Sequence, residues 1–358
     1  MIKGQVKTEA SYRAKAIDSS SSLKEFSMDR KKYYRKYILG EDIEDKDTQA
    51  ATTGRVVETL LMEPELFDEK FYMSACASAP TGLMLAFVEA LYKFTKEATD
   101  DNGNVTRSFE DISKDAYVES GFKIKHDAVI SKFVGSDAEI FYNEIRKVRS
   151  MNLTVVTAED VSNAEKIVEE LRTNFVTKNI VNVVSSVRYT VYNQLQVEGY
   201  IIDGHEFKSM IDKVIIDHKE KTVQVYDLKC TWSVENFLEE YYLYRRAYIQ
   251  ALLYYKAAIH FMNNTEEIRG YRVEPPCFIV CDSTNYYNPL VYTLSDDDLE
   301  DAYNGFIHKN REYTGVATLI KDLKWALENN VWNISRENHE LNGLVKLKIQ
   351  DGSKKNNY

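Results

Sequence analysis

Between Met210 and Lys229 the chain reads MIDKVIIDHKEKTVQVYDLK: two apolar runs carrying Val214, Ile215, Ile216, Val223 and Val225, parted by the polar residues Asp217 to Glu220. β-Branched side chains favour the pleated surface of a strand, so the pattern predicts a hairpin. The period of 2 turns Asp227 and Lys229 to one face of the second strand, and Asp212 on the first can meet them across the pair. Apolar residues also alternate through RYTVYNQLQVEGYII from Arg188 onward, so the sheet is expected to begin there.

Elsewhere the period is helical. In TTGRVVETLLMEPELF, Val56, Val57, Leu60 and Leu61 share one face and Pro64 ends the run. Glu58 sits within that apolar surround, so it either faces solvent or has a partner charge, because an unpaired buried carboxylate is costly. Helices are predicted at 83–98, 108–118, 122–134, 136–149 and 157–177, with DDNGNV as a loop. Ser233 to Phe261 reads as one long helix, 277–283 as a strand, LSDDDLEDAYNGF as a helix start with acidic residues in its first turn, and 318–329 as a last helix.

Near the N-terminus, Ser22 as N-cap with Glu25 three positions on predicts a capping box and a helix to Leu39, stopped by Gly40. Phe26, Tyr33, Tyr34 and Tyr37 alternate there with Arg30, Lys31, Lys32, Arg35 and Lys36. Such a face could track phosphates and stack on bases. The commoner arrangement is a helix with core aromatics and solvated cations. The change of period divides the chain into a core of residues 1–74 and 151–340, a helical insertion at 75–150 that could form a wall or clamp, and a C-terminal segment 341–358 whose tail GSKKNNY is expected to be disordered.

Composition alters this picture in three places. With 358 residues, 44% hydrophobic and 28% charged, the chain can bury a sizeable core. The net charge of −10 argues against sequence-independent binding to nucleic acid. Residues 1–40 nevertheless hold ten Lys or Arg against four Asp or Glu, with an acidic run following at Glu41 to Asp47, and phosphate contacts depend on local cations. Cys76, Cys230, Cys277 and Cys281 are too few and scattered for a disulfide framework. No apolar run reaches the roughly 20 residues of a membrane span, and the first residues lack the apolar stretch of a signal peptide. A cytoplasmic protein with no membrane partner is expected.

Two carboxylates and an ammonium in one patch suit a divalent cation beside an activated water, since hard cations prefer oxygen ligands. Other chemistries fit poorly. The cysteines and the six histidines form no metal-type pair, no nucleophile elbow is present, and there is no GxxxxGK[ST] loop. Asp-x-Lys alone is a weak signal. The order in which it occurs is more specific: Gly54-x-x-x-Glu58 on a helix, Asp212 on a strand, Asp227-x-Lys229 on the next strand, and Gln250-x-x-x-Tyr254 on the following helix.

This succession resembles the PD-(D/E)XK nuclease superfamily, in its RecB/Cas4-like branch. MEPELF, IDKV, YDLKCT and RRAYIQALLYY are most similar to the phage and prophage RecE (exonuclease VIII) type. The resemblance implies an α/β fold with a central mixed β-sheet flanked by helices. It implies that Glu58, Asp212, Asp227 and the Leu228 carbonyl hold Mg²⁺ or Mn²⁺, and that Lys229 acts on the attacking water and the scissile phosphate. Gln250 would brace the site, Tyr254 would contact it or the DNA, and Arg245 or Arg246 would clamp a phosphate, with Lys31 and Lys32 as further DNA contacts. Cys230 departs from the Thr common after the lysine, and the absent cysteine set argues against an Fe–S cluster. Glu198 could be a further ligand or the cross-strand partner of a cation, the second being favoured. The implied activity is a metal-dependent exonuclease that acts on double-stranded DNA ends, 5′ to 3′, to make single strand for recombination or repair. A single-strand annealing protein would be its partner and a ring its oligomer. The alternatives are a structure-specific or defence endonuclease of the same fold, and a non-catalytic DNA-end-binding protein.

Overall fold

The computed structural model describes residues 9–41, 43, 49–151 and 153–345. Helices α1 (Ser20–Met28) and α2 (Gln49–Met62) precede a short strand β1 (Phe71–Met73). Four helices follow, α3 (Gly82–Glu97), α4 (Phe109–Ser120), α5 (His126–Phe133) and α6 (Asp137–Val148), before β2 (Thr154–Val156) pairs parallel with β1. Helix α7 (Ala158–Thr173) leads into β3 (Tyr189–Ile202), β4 (His205–Asp217) and β5 (Thr222–Thr231). The chain continues through α8 (Ala247–Asn263), β6 (Arg272–Val273), β7 (Cys277–Asp282), β8 (Leu290–Thr293) and α9 (Asp296–Asn304). It closes with the hairpin β9 (Gly305–His308) and β10 (Arg311–Thr314) and helix α10 (Val316–Asn329).

This is a mixed α/β fold. Strands β3, β4, β5, β7 and β8 lie side by side in that order, with β6 beside the start of β5. The neighbouring pairs are antiparallel except β5 with β6 and β7, which run parallel. Parallel pairing needs a crossover, and α8 supplies it. Helices cover both faces. On one, Val197, Ile211, Val214, Ile216, Val223 and Val225 pack beneath α1, α8 and α10. On the other, Leu228, Ile279 and Cys281 pack beneath α2 and α7. With both faces covered, β4 is an almost continuous buried run rather than an alternating one.

The helical stretch has its own core, built from Phe87, Leu91, Ile112, Phe133, Phe141 and Ile145 among others. Arg149 closes it with two 2.7 Å bonds to the Glu89 carboxylate while lying over the Tyr92 ring. Strand β2 joins it to the sheet domain. Its period of 2 places Val155 in the helical core and Val156 in the core beneath α2 and α7.

Two long helices expected from periodicity are broken. The N-terminal one begins a turn early, capped by Ser19 with Ser22 as its reciprocal partner rather than by Ser22 with Glu25. It stops at Asp29, whose backbone is extended and whose carboxylate caps the next turn by accepting from the Lys32 N–H at 2.9 Å. Phe26 and Tyr33 are core residues and Tyr34 is half-buried, so of the four aromatics of this segment Tyr37 alone is exposed. The second break is Arg246, in the left-handed region at φ +56, which separates a π-helical turn at Leu238–Tyr244 from α8. The acidic stretch at 44–47 and the tail GSKKNNY lie outside the described residues. No described helix is long and apolar enough to cross a membrane.

Leu253 on α8 is completely buried against the sheet, whereas Leu327 on α10 is 42% exposed. Leu253→Ala is expected to destabilise by about 2–5 kcal/mol through lost burial and a residual cavity. Leu327→Ala should stay within about 0.5 kcal/mol. Urea denaturation of the two variants measures the difference.

Candidate active site

The site forms where β4 and β5 part. Their ladder ends at the pair Lys213–Tyr226, and the next pair in that register would be Asp212 with Asp227. Beyond Tyr226 the other edge of β5 pairs with β7. On the β4 side a side chain takes over from the backbone, and the Leu228 N–H donates to Asp212 Oδ2 at 2.8 Å. The two carboxylates therefore stand opposite each other in a notch, with Asp212 8% and Asp227 1% exposed.

Asp227 and Lys229 share a face, and the Lys229 ammonium is ion-paired with Asp227 Oδ2. The parallel crossover then returns α8 over that face. Its Gln250 donates through Nε2 to Asp227 Oδ1 at 2.7 Å and to the hydroxyl oxygen of Tyr254, one turn on, at 2.9 Å. Both side chains are buried. Glu58 arrives on α2, from the other side of the sheet. The helix crosses β5 closely at Gly54, where an added Cβ would lie 3.5 Å from Cys230 Cβ. Glu58 follows one turn later, within electrostatic reach of Lys229, Asp227 and Asp212. All six residues of the predicted set, Glu58, Asp212, Asp227, Lys229, Gln250 and Tyr254, are thus drawn into one constellation.

Its charges perturb one another. Burial pushes the Asp212 carboxyl well above its ordinary range, and the charges of Asp227 and Glu58 push it further. Burial raises Glu58 too, against the pull of Lys229 and the Gln194 hydrogen bond. Burial alone would lower Lys229, but Asp227, Asp212 and Glu58 together outweigh it and hold the ammonium above its usual value. The Tyr254 hydroxyl is raised by burial and by the two aspartates.

Two participants escaped the sequence reading. Lys24 on α1 donates to Gln250 Oε1 at 3.2 Å. Burial, with help from Lys229 and Arg245, brings its pKa down to about 8. Nothing in its local pattern separates it from the nine other cations of residues 1–40. Gln194 on β3 donates to Glu58 Oε1 at 2.5 Å from a left-handed backbone, φ +51, a conformation that costs on the order of 1–3 kcal/mol for a non-glycine residue. Its signal was the Asn193-Gln194 pair, which interrupts an otherwise alternating strand.

The predicted DNA-contact residues separate. Arg245 is exposed and lies over the Tyr241 ring. Arg246 points the other way, donating to the Ser27 carbonyl at 2.6 Å and tying α8 to the end of α1. Lys31 is exposed, and Lys32 is paired with Glu25 at 2.9 Å. Glu198 lies away from the notch, ion-paired with Lys15 and opposite Lys208 across the β3–β4 ladder.

A hard divalent cation fits the donor chemistry. Asp212, Asp227 and Glu58 bring carboxylate oxygens together there, and Asp227 Oδ2 is buried against the Lys229 ammonium. As the side chains stand, no group of three His, Cys, Asp or Glu among the described residues is arranged to hold a metal ion. Each carboxylate is engaged elsewhere, Glu58 by Gln194, Asp212 by the Leu228 N–H and Asp227 by Lys229.

Ionised Asp212 should destabilise the metal-free fold, because its folded-state pKa lies above its unfolded value. Stability is then lost as pH rises from the unfolded pKa through the folded one. Asp212→Asn is expected to raise the melting temperature in EDTA at pH 8, with the gain shrinking toward pH 4. Thermal unfolding across that range measures it, and a gain independent of pH would exclude the electrostatic cause.

No family model matches the chain, and no curated protein matches it. Among solved structures, the chain is similar to a crystal structure named as a putative exonuclease from Eubacterium rectale, with 13% identity and a TM-score of 0.47 over 97% of each chain.

Proposed function

We propose that this protein is a divalent-cation-dependent DNA nuclease that degrades duplex from its ends. The observation that carries the reading is the notch itself, where Asp212, Asp227 and Glu58 gather around Lys229 between the parted strands β4 and β5. A purely structural cluster of this kind would be expensive, since buried like charges oppose one another. Concentrations of perturbed carboxylates are more typical of functional sites.

On this reading Glu58, Asp212, Asp227 and the Leu228 carbonyl would hold Mg²⁺ or Mn²⁺, which when bound supplies a Lewis acid and a water of lowered pKa. The protein's own groups do the remainder. Lys229, kept charged by its neighbours, stabilises negative charge on the attacking oxygen and the scissile phosphate. Gln250 holds Asp227 in a single orientation through Oδ1 and fixes Tyr254 behind it. Lys24 and Arg245 add positive charge on the α1 side of the notch. A phosphodiester beside Lys24 would draw its pKa back up from about 8. These local cations explain how a chain of net charge −10 can bind DNA. The product strand would serve recombination or repair, with an annealing protein to receive it.

Incubation of the full chain with linear duplex, nicked circle and closed circle, in Mg²⁺ or EDTA, is expected to release nucleotides from linear ends and only with the metal. No release with Mg²⁺ or Mn²⁺ overturns the proposal. Cutting of closed circles would identify an endonuclease, and tight end binding without turnover a non-catalytic binder. Asp227→Ala and Lys229→Ala should each lower the rate by about 10²-fold or more. Arg245→Ala should instead weaken DNA binding and reduce its salt dependence by about one phosphate contact, leaving the saturated rate near that of the parent. Salt-dependent binding isotherms distinguish the two effects.

A further inference from the structure

Gln194 is a strained residue at the candidate site. Register pairs flank it on both sides, Asn193 with Lys213 and Leu195 with Ile211, so it stands across from Asp212. In a regular strand Asn193 and Gln194 would point to opposite faces. Here both reach α2, one helical turn apart: Asn193 Nδ2 donates to the Met62 carbonyl at 2.8 Å and Gln194 Nε2 to Glu58 Oε1 at 2.5 Å. The left-handed backbone at Gln194 breaks the alternation and makes this possible. Its Oε1 is buried and meets no donor among the described residues. Buried amide oxygens rarely stay in that condition.

Resting on the reading of Glu58, Asp212 and Asp227 as cation ligands, we propose that Gln194 is a positioning residue of that site. Its N–H holds Glu58 by Oε1, which leaves Oε2 for the cation, and its own Oε1 is the acceptor for a water carried by that cation. A side chain that only pinned α2 would need the donor alone. Asn193 already supplies a bond to the same helix. The second, strained one is explained by the carboxylate it holds and by the acceptor it leaves inside the site.

Mn²⁺ binding to the full chain without DNA, measured by calorimetry, tests this. Gln194→Gly keeps the backbone conformation and removes the amide. It is expected to bind Mn²⁺ about 10–100-fold more weakly, the usual effect of losing a group that orients a metal ligand. Its melting temperature in EDTA should stay near that of the parent, because glycine adopts positive φ without strain and this relief offsets the lost bond to Glu58. If that variant does not fold, Gln194→Asn serves, since Asn tolerates the same region and is one methylene shorter; the same loss is expected. Asn193→Ala, which removes only the bond to Met62, should lower the melting temperature and leave Mn²⁺ affinity unchanged. Equal Mn²⁺ affinity in the parent and the Gln194 variant overturns this proposal alone, as does an equal loss in Asn193→Ala. No Mn²⁺ binding by the parent overturns the reading of the site as well.

Discussion

Asp212 and Asp227 face each other where β4 and β5 part, with almost no solvent to spread their charge. Buried carboxylates are held only when other groups meet them, and much of the surrounding structure answers that requirement. The Leu228 N–H takes one oxygen of Asp212, while Gln250 and Lys229 take one each of Asp227. These contacts come from the backbone of β5, from the next residue of the same strand, and from the crossover helix. The β5–α8–β7 crossover is therefore a condition of the site as well as of the sheet, because it brings Gln250 and Tyr254 over the face that carries Asp227.

A second set of contacts fixes the N-terminal segment so that α1 can reach this face. Asp18 pairs with Phe207 in an isolated parallel bridge, and its carboxylate receives Ser22 Oγ at 2.7 Å and the Tyr33 hydroxyl at 3.0 Å, with His205 Nε2 2.8 Å away. Lys208, buried on β4, donates to the carbonyls of Tyr12 and Lys15 at 2.7 Å. Arg246 ties the far end of α1 to the start of α8. Between these anchors Lys24 is delivered to Gln250, and the site gains a second ammonium from a part of the chain more than 200 residues away in sequence. Helix α2 is held in a comparable way, by the two consecutive amides of β3.

The local pattern was sufficient for the hairpin, for α2 with its stop at Pro64, for the four helices of the middle region and for β7, because each combines a clear period with an end signal of its own. It also placed Asp227 and Lys229 on one face, which follows from the geometry of a strand. It failed at Asp29 and Arg246. Helical period runs straight through both positions, and the breaks are sustained by a cap on the next turn in one case and a bond to α1 in the other. The short strand pairs β1–β2 and β9–β10 were also missed, since each strand is only three or four residues long.

What the sequence determined by itself was the ordered set of chemical groups: Glu58, Asp212, Asp227, Lys229, Gln250 and Tyr254, each on an element of recognisable type. Only the tertiary structure decided that β4 and β5 separate at the two aspartates, that Gly54 brings α2 across β5, and that Lys24 and Gln194 join the site. The division has a physical origin. Period and capping act over a few neighbouring residues and can be read along the chain. The charge balance of a buried notch depends on groups brought together by packing across 136 and 226 residues of sequence, and no local period names the partners.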